Sequence, residues 1–518
     1  MQLPAVHLCI VQPAGQVHAL GFLDPARYFR YQFRRMGAEV TLAKNRLRHD
    51  AVNLVFGAHQ GFDRQAAARH TCLFVNLEQL GPQGAPVPAD YLELLRHHAA
   101  VDYHPANLAA YGGVADEVPL VTFGHAPYLS RCAPLPWEER SIDLLFFGSL
   151  NPRRRELIAR IEAAGRRVAL LDTPLYGPER DELLRNAKVV LNLHYYAPTA
   201  AHAARFEQVR AFQCLSLGTP VIAERAAHTE VPPQFEDCVH WVAPDELPGW
   251  IARHLDRPEF RTRSEQQLAA FARHDVIDGY ADLLAFAAGY RQVHGAGLDP
   301  RPWQPTRIHI GSGKDYKPGW LNLDISASAQ PDLLLDLSQP IDWPVQAESP
   351  TQGPVRLESG QAQLIYANNV LEHVGDLPQL MRNSLDLLAV GGEMLIEVPY
   401  ERAPTAWQDP THVRALNENS WLYYTDWFWY LGWFEHRFQA TETHYLDAQL
   451  QPCAQAGAHF MRVRLRKIET SFAERTRART LRADFGGIPD DDIWPTATAE
   501  LDADATPAEP DSPASRPS

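Results

Sequence analysis

Three groups of residues have types and spacing suited to chemistry. In the first, the apolar run RIHI leads into Gly311, Ser312 and Gly313. Such glycines let the backbone turn tightly and approach a ligand where a side chain would clash. The next apolar run, Trp320 to Leu323, ends in Asp324, and a further one, Asp332 to Leu335, ends in Asp336. An acidic residue just past the second strand can accept both hydroxyls of a ribose, and its fixed charge strengthens both bonds. In the second group, His373 stands in LEHV, and Asp409 and His412 stand in DPTH. These side chains can take a proton from a hydroxyl. The other reading of His373 is a residue that orders a helix start, and that of His412 is a loop-forming residue. In the third group, Asn151, Arg153, Arg154 and Arg155 follow the run IDLLFFGS. That place, after a strand and at a helix start, suits a diphosphate, because helix-end amides and guanidinium forks converge there. The other reading is a solvated basic helix face.

These groups need elements to position them. VHLCIVQP, AEVTLA, AVNLVFGA and CLFVNLEQ read as strands, with a helix from Asp24 to Met36 closed by Gly37. After the prolines 127, 134 and 136 the pattern restarts. IDLLFFGS, RVALLD, KVVLNLHY and TPVIAE are strands, with helices over Arg153–Ala164 and Phe206–Leu217. Alternation of this kind implies βαβ units and parallel sheets. A Gly/Pro-rich linker, roughly Val293 to Thr306, precedes a third α/β unit. That unit continues through LIYANN, VLEHV, a helix to Leu388, and GGEMLIEVP. From about Gly486 the chain is rich in Asp, Ala, Pro, Thr and Ser, and is expected to be disordered. The expected organisation is 1–130, 138–290, 306–468 and a tail at 486–518.

Taken in order, Gly311–Gly313, Asp324, Asp336, Asn368 to Val374 and Gly391 to Pro399 resemble class I methyltransferases of the "type 11" group. The resemblance covers about 160 residues. It implies a Rossmann-like sheet, S-adenosylmethionine as cofactor, and contacts to it from Gly311, Ser312, Gly313, Asp324, Asp336 and Asn368. It also implies that DPTH forms a loop over the active site, with His373, Asp409 and His412 as candidate catalytic residues. The chain departs from the family pattern in two places. His309 and Ile310 stand where an acidic residue often precedes the glycine loop, and Lys314–Asp315 replace its third glycine.

Residues 1 to 290 resemble the two halves of a GT-B glycosyltransferase. FEQVRAFQCLSLGTPVIAE is similar to the donor-nucleotide segment of the retaining enzymes, with Gly218 and Thr219 in its turn. Gln213 and Arg205 replace the family's glutamate pair, and Glu207 and Arg210 lie close enough in sequence to substitute. The resemblance implies a nucleotide-sugar site built from Arg153, Arg154, Arg155, Glu207, Arg210, Gln213, Gly218 and Thr219. It also implies an acceptor-side loop at Gly15-x-x-His18. Glu78 and Gln79 in NLEQL, and Asn192 with His194, recur in bacterial proteins of this kind. The expected fold is therefore α/β: two tandem Rossmann-like units (GT-B-like), then a Rossmann-like methyltransferase domain. The expected function is methyl transfer fused to a glycosyltransferase-like module, acting on a glycan or glycoconjugate. The alternative is a methyltransferase whose N-terminal region only recognises glycan or nucleotide.

Composition narrows the partners. With 48 Lys and Arg against 63 Asp and Glu, the net charge is −15. A nucleic-acid partner is not expected, because phosphate binding needs concentrated basic residues. The six cysteines form no C-x-x-C pair, so neither a metal site nor a disulfide framework is expected, and a reducing cytoplasm fits. The acidic run Asp490–Asp492 lies in the tail and is not read as a metal motif. No signal peptide or apolar run of spanning length is seen. The aromatic stripe with Trp421, Trp427, Trp429 and Trp433 reads first as core, with sugar stacking or peripheral membrane contact as lesser readings.

Overall fold

The computed structural model describes residues 3–482, apart from 14, 82–83, 130–133, 172–175, 198–203, 228, 296–297 and 299–300. Parts of the linker (Gly297, Pro300), Cys132 and the expected disordered tail therefore lie outside the described residues. The chain divides into two compact units. One comprises Met1–Trp303, Asp315–Gly319 and Gln346–Val355; the other comprises Gln304–Lys314, Trp320–Val345 and the remainder from Arg356.

The first unit contains two five-stranded parallel sheets. Strands β1 (Val6–Ile10), β2 (Val40–Lys44), β3 (Val52–Phe56), β4 (Cys72–Val75) and β5 (Ala100–Val101) lie in the order β2-β1-β3-β4-β5. β1, β3 and β4 are buried on both faces, which is why they read as continuous apolar runs and not as alternating ones. Helix α1 (Leu23–Arg35) buries Tyr28, Phe29 and Phe33, and Tyr280 packs on all three rings. Helices α2 (Arg64–Ala67) and α3 (Ala89–His97) follow in the same half.

The second sheet is built from β6 (Ile142–Phe147), β7 (Val168–Leu171), β8 (Ala187–Asn192), β10 (Val221–Glu224) and β12 (His240–Val242). Its order is β12-β10-β8-β6-β7, so both sheets run second-first-third-fourth-fifth. β9 (Ala204–Arg205) and β11 (Thr229–Glu230) form a small separate pair. Helices α4 (Pro152–Ala163), α5 (Pro178–Asn186), α6 (Gln208–Ser216), α7 (Leu247–His254), α8 (Pro258–Phe271) and α9 (Ile277–Gly295) complete the unit. α4 starts where Asn151 accepts the Arg154 amide and Pro152 takes the first helical position. The two halves form one unit because their core is shared. Phe123 of the first half stacks on Phe212 of α6, and Arg180 of α5 pairs with Asp24 of α1 at 2.6 Å.

The other unit holds an eight-stranded sheet. Its strands are β13 (Arg307–Ile310), β14 (Leu321–Asp324), β15 (Leu333–Leu334), β18 (Ala362–Asn368), β19 (Leu388–Pro399), β20 (His436–Leu446), β21 (Pro452–Cys453) and β22 (Phe460–Glu469). β16 (Val345–Ser349) and β17 (Gly353–Leu357) pair apart from it, and their Gln346–Val355 stretch belongs to the first unit. The order is β15-β14-β13-β18-β19-β22-β20-β21, parallel from β15 to β19, with β22 antiparallel to both neighbours. The chain reverses direction across the sheet between β13 and β18. That switch point opens a crevice beyond the strands' carboxyl ends. Helix α10 (Leu377–Leu387) crosses from β18 to β19, and α11 (Phe472–Arg482) follows β22.

The aromatic stripe departs from the helical expectation. It forms two short 3-10 turns, Glu418–Trp421 and Phe428–Leu431, separated by further turns. Trp421 and Trp433 are buried, whereas Tyr423, Trp427 and Tyr430 are exposed. Among the described residues no helix is long and apolar enough to cross a membrane.

Candidate functional site

At the switch point, β13 runs out into the glycine turn. Gly311 and Gly313 both have positive φ, 63° and 49°. A Cβ on Gly311 would come within 2.3 Å of the Val370 side chain, so this glycine is required by the protein's own packing. Val370 fills the space on the side where a Gly311 side chain would project. Ser312 is buried, and its amide donates to the Leu323 carbonyl at 3.0 Å. Its Oγ has no hydrogen-bond partner although it is buried. Asp324, half-buried at the end of β14, accepts the Gly313 amide on Oδ2 and the Ser326 amide on Oδ1, both at 2.8 Å. Each carboxylate oxygen keeps a further lone pair for a ribose hydroxyl.

An orphaned hydroxyl beside a held carboxylate at the switch point fits S-adenosylmethionine. No helix separates β13 from β14. This explains the missing third glycine, whose role elsewhere is close helix–strand packing. Asp336 serves its own turn, accepting the Ser338 amide at 2.9 Å and hydroxyl at 2.7 Å. Burial alone would raise its pKa, but these bonds outweigh burial and hold it below the usual range. Asn368 ends β18, half-buried, in register with Glu397.

Beyond β18 the chain turns sharply. Asn369 has φ 50°, a region costly for most residues and concentrated at functional sites. A 3-10 turn, Leu371–His373, then leads to α10, capped by Asp376. The DPTH loop is held against this turn. The Val413 amide donates to the Glu372 carbonyl at 2.8 Å, and Arg414 donates to the carbonyls of Val374 and Gly375 at 2.7 Å. His373 and His412 thereby meet edge to face, with ring centroids 4.7 Å apart. His373 Nδ1 bonds Thr411 Oγ1 at 2.9 Å, and Thr411 Oγ1 donates to Asp409 Oδ1 at 2.7 Å. Asp409 is held below the usual carboxylate range, chiefly by the Thr411 hydroxyl. The structure thus brings the three sequence candidates together.

It also adds a residue that the sequence reading passed over. Glu372 is 2% exposed, with neither carboxylate oxygen hydrogen-bonded. Burial pushes its pKa up to about 7. Its signal was present in VLEHV: a charged residue directly after two apolar ones, where burial demands a partner.

In the first unit a cleft of about 380 Å³ opens at the carboxyl ends of β6 and β8, the corresponding switch point of that sheet. Glu78, Arg154, Tyr195, Tyr196, Glu207 and Arg210 are among its walls. The expected convergence of three arginines on a diphosphate is corrected. Arg153 forms a two-pronged pair with Glu224, at 2.6 and 3.0 Å. Arg154 reaches the cleft, but its guanidinium donates to the carbonyls of Ser149, Leu193 and His194. Burial lowers its pKa to about 10. Arg155 is exposed on the helix surface.

Arg210 lies over the Phe146 and Phe147 rings, at 5.9 and 5.4 Å. Its Nη1 is buried without a partner, and a Cβ on Gly148 would sit 2.6 Å from its Nη2. Glu207 accepts from Gln79 at 2.9 Å. Gln213 is taken up by Arg180 at 2.7 Å, and Thr219 donates to the Leu184 carbonyl at 2.6 Å. The Gly218 carbonyl accepts from Arg140. Those three residues support the fold and lie outside the cleft wall. His18 is exposed on a 3-10 turn, Val17–Phe22, also away from this wall. Burial in the cleft, with the Glu207 charge adding, pushes the Glu78 carboxyl up to about 7.

Comparison with known proteins bears on residues 278–448, which match a family described as "Methyltransferase domain". An uncharacterised protein of Acanthamoeba polyphaga mimivirus is 25% identical over 176 residues, which are 32% of this chain and 49% of the relative. The chain thus spans about half the length of that curated relative. Among solved structures, an S-adenosylmethionine-dependent methyltransferase from Mesorhizobium loti is 16% identical, over 34% of this chain and 97% of its own, with a TM-score of 0.22. One from Archaeoglobus fulgidus is 11% identical, over 31% and 85%, with a TM-score of 0.21. The family match and the crevice between β13 and β18 agree. The C-terminal side of the chain carries a class I S-adenosylmethionine-dependent methyltransferase domain.

Proposed function

We propose that the chain methylates a glycan or glycoconjugate, and that its first unit binds a nucleotide-sugar in the manner of a GT-B glycosyltransferase. The observation that carries the methyltransferase part is the Asp324–Gly313 tie beside the orphaned Ser312 hydroxyl. The sulfonium cofactor is already activated, so aligning acceptor, methyl and sulfur supplies most of the catalysis. Glu372 and His373 lie in the turn after β18, and the loop bearing Asp409 and His412 is held against that turn, which supports a role for these groups beside an acceptor hydroxyl. Support for the nucleotide part is Arg210. Its buried, unpaired nitrogen lines a cleft at a sheet switch point, where a diphosphate would supply the missing acceptor.

A second reading, in which the first unit recognises glycan or nucleotide without catalysis, draws on a specific observation. Gln213 and Arg205 stand at the family's glutamate positions, and both are tied up: Gln213 with Arg180, and Arg205 with Asn107. The test is a pair of titrations on the intact protein, with uridine and guanosine diphosphate sugars and with S-adenosylmethionine. Turnover of the bound nucleotide-sugar supports the enzyme reading. Binding without turnover supports the recognition module, and no nucleotide binding removes the enzyme reading and leaves recognition of glycan alone.

A further inference from the structure

We propose that Glu372, His373 and His412 form a binding site for one first-row divalent transition cation. One ligand atom from each lies within 4.8 Å of the other two. Three further facts point to a cation between them.

The first is Glu372. A carboxylate that is 2% exposed with both oxygens unbonded is costly to bury unless a counter-charge meets it. Its nearest ionic neighbour is His412 Nε2, at 4.0 Å from Oε1, too far for a hydrogen bond.

The second is the orientation of His412. Its Nδ1 bonds the Ala406 carbonyl at 2.9 Å. A carbonyl only accepts, so Nδ1 carries the proton, and in the neutral ring Nε2 presents its lone pair toward Glu372. A backbone carbonyl behind a histidine in this way fixes the tautomer and ring angle of metal-bound imidazoles.

The third is the support behind His373. Thr411 Oγ1 donates to Asp409, so it accepts from His373 Nδ1. The neutral ring then offers Nε2 as its free donor atom. Two imidazole lone pairs and a carboxylate would thus converge with nothing of opposite sign between them.

An ion at roughly 2.0–2.2 Å from each ligand needs the three atoms to close to about 3–3.5 Å of one another. This is a side-chain adjustment of about 1 Å on elements already fixed by the Val413 and Arg414 bonds. Two nitrogens and one carboxylate select the first-row divalent ions over magnesium or calcium, which prefer all-oxygen sets. Three protein ligands leave positions open. The site lies just past Val370, against which Gly311 packs, and so borders the cofactor crevice. Resting on the methyltransferase reading, an open position there would receive an oxygen of the acceptor, making the substrate an oxygen nucleophile that can chelate.

The test uses the full chain, stripped with chelator and titrated with Co2+. Calorimetry and the cobalt absorption bands in the visible should show one ion per chain. Glu372→Gln and His412→Ala should each weaken binding by at least about tenfold. Because Glu372 is buried and His412 half-buried, exposed His373→Ala provides a variant whose melting without metal should match the parent. S-adenosylmethionine affinity, measured on the same samples, separates this proposal from the methyltransferase reading, since cofactor binding should persist in all three variants. A parent protein that takes up no Co2+ saturably, or variants that bind it as tightly, would overturn the site. Loss of cofactor binding in the parent would overturn the acceptor role alone.

Discussion

Asp324 and Gly313, eleven positions apart, are joined by a 2.8 Å bond from the glycine amide to the carboxylate. The bond links the end of β14 to the turn after β13, so the proposed ribose ligand also shapes the loop that would cradle the rest of the cofactor. Asp324→Ala should therefore lower S-adenosylmethionine affinity at least tenfold by calorimetry, each charge-assisted bond being worth ~1.5–3 kcal/mol. Asp324→Asn keeps one acceptor oxygen and should fall between the two. An unchanged dissociation constant in the alanine variant would remove Asp324 from the site.

Gly311→Val should destabilise the methyltransferase unit before it affects ligand. A side chain at φ 63° costs about 1–2 kcal/mol, and its Cβ meets Val370 at 2.3 Å. Adding Val370→Ala should recover the steric part and leave the backbone part. Thermal unfolding of the single and double variants reads this directly. A single variant that melts like the parent but fails to bind cofactor would show that the glycine faces cofactor.

Arg153 and Arg210 should separate fold from ligand. Glu224 is fully buried and depends on Arg153, so Arg153→Ala leaves an unpaired charge and should cost about 3–5 kcal/mol. Arg210→Ala removes a cation with no partner on Nη1. It also removes the contact with Phe146 and Phe147, so its melting temperature should fall by far less than that of Arg153→Ala, while nucleotide-sugar binding weakens at least tenfold. Equal loss of stability in the two variants would show that Arg210 is structural as well.

The cleft should also bind anions better at lower pH. Glu78 titrates near pH 7, faced by Glu207, by His59 at 3.8 Å, and by Arg154 and Arg210 across the cleft. Below pH 7 it is neutral; above, it adds a negative charge beside the ligand. Nucleotide-sugar affinity should therefore fall as pH rises from 6 to 8, and Glu78→Gln should flatten that slope. The raised folded value implies a matching stability trend. Stability from this group is full below about 4.5, the ordinary glutamate value, and declines as pH rises through about 7. A pH-independent affinity in the parent would show that Glu78 does not face the ligand.

Much of the architecture was legible in the residues. Continuous apolar runs marked the buried parallel strands, and the order of Gly311–Gly313, Asp324 and LEHV marked the switch point of the methyltransferase sheet, because these signals are local. A strand, a tight turn and a helix start each depend on a few neighbouring residues. The tertiary structure decided what those positions do. Arg153 and Arg154 stand after a strand at a helix start, yet one is consumed by Glu224 and the other by carbonyls some forty residues away, at Leu193 and His194. Gln213 occupies a donor-site motif but completes a network with Arg180 and Asp24. Glu372, inconspicuous in sequence, gains its role only when the loop bearing His412 folds over it. A motif fixes backbone geometry through short-range sterics. Whether a charge stays free, is neutralised or is left waiting for a ligand depends on groups that only the packed chain brings within reach.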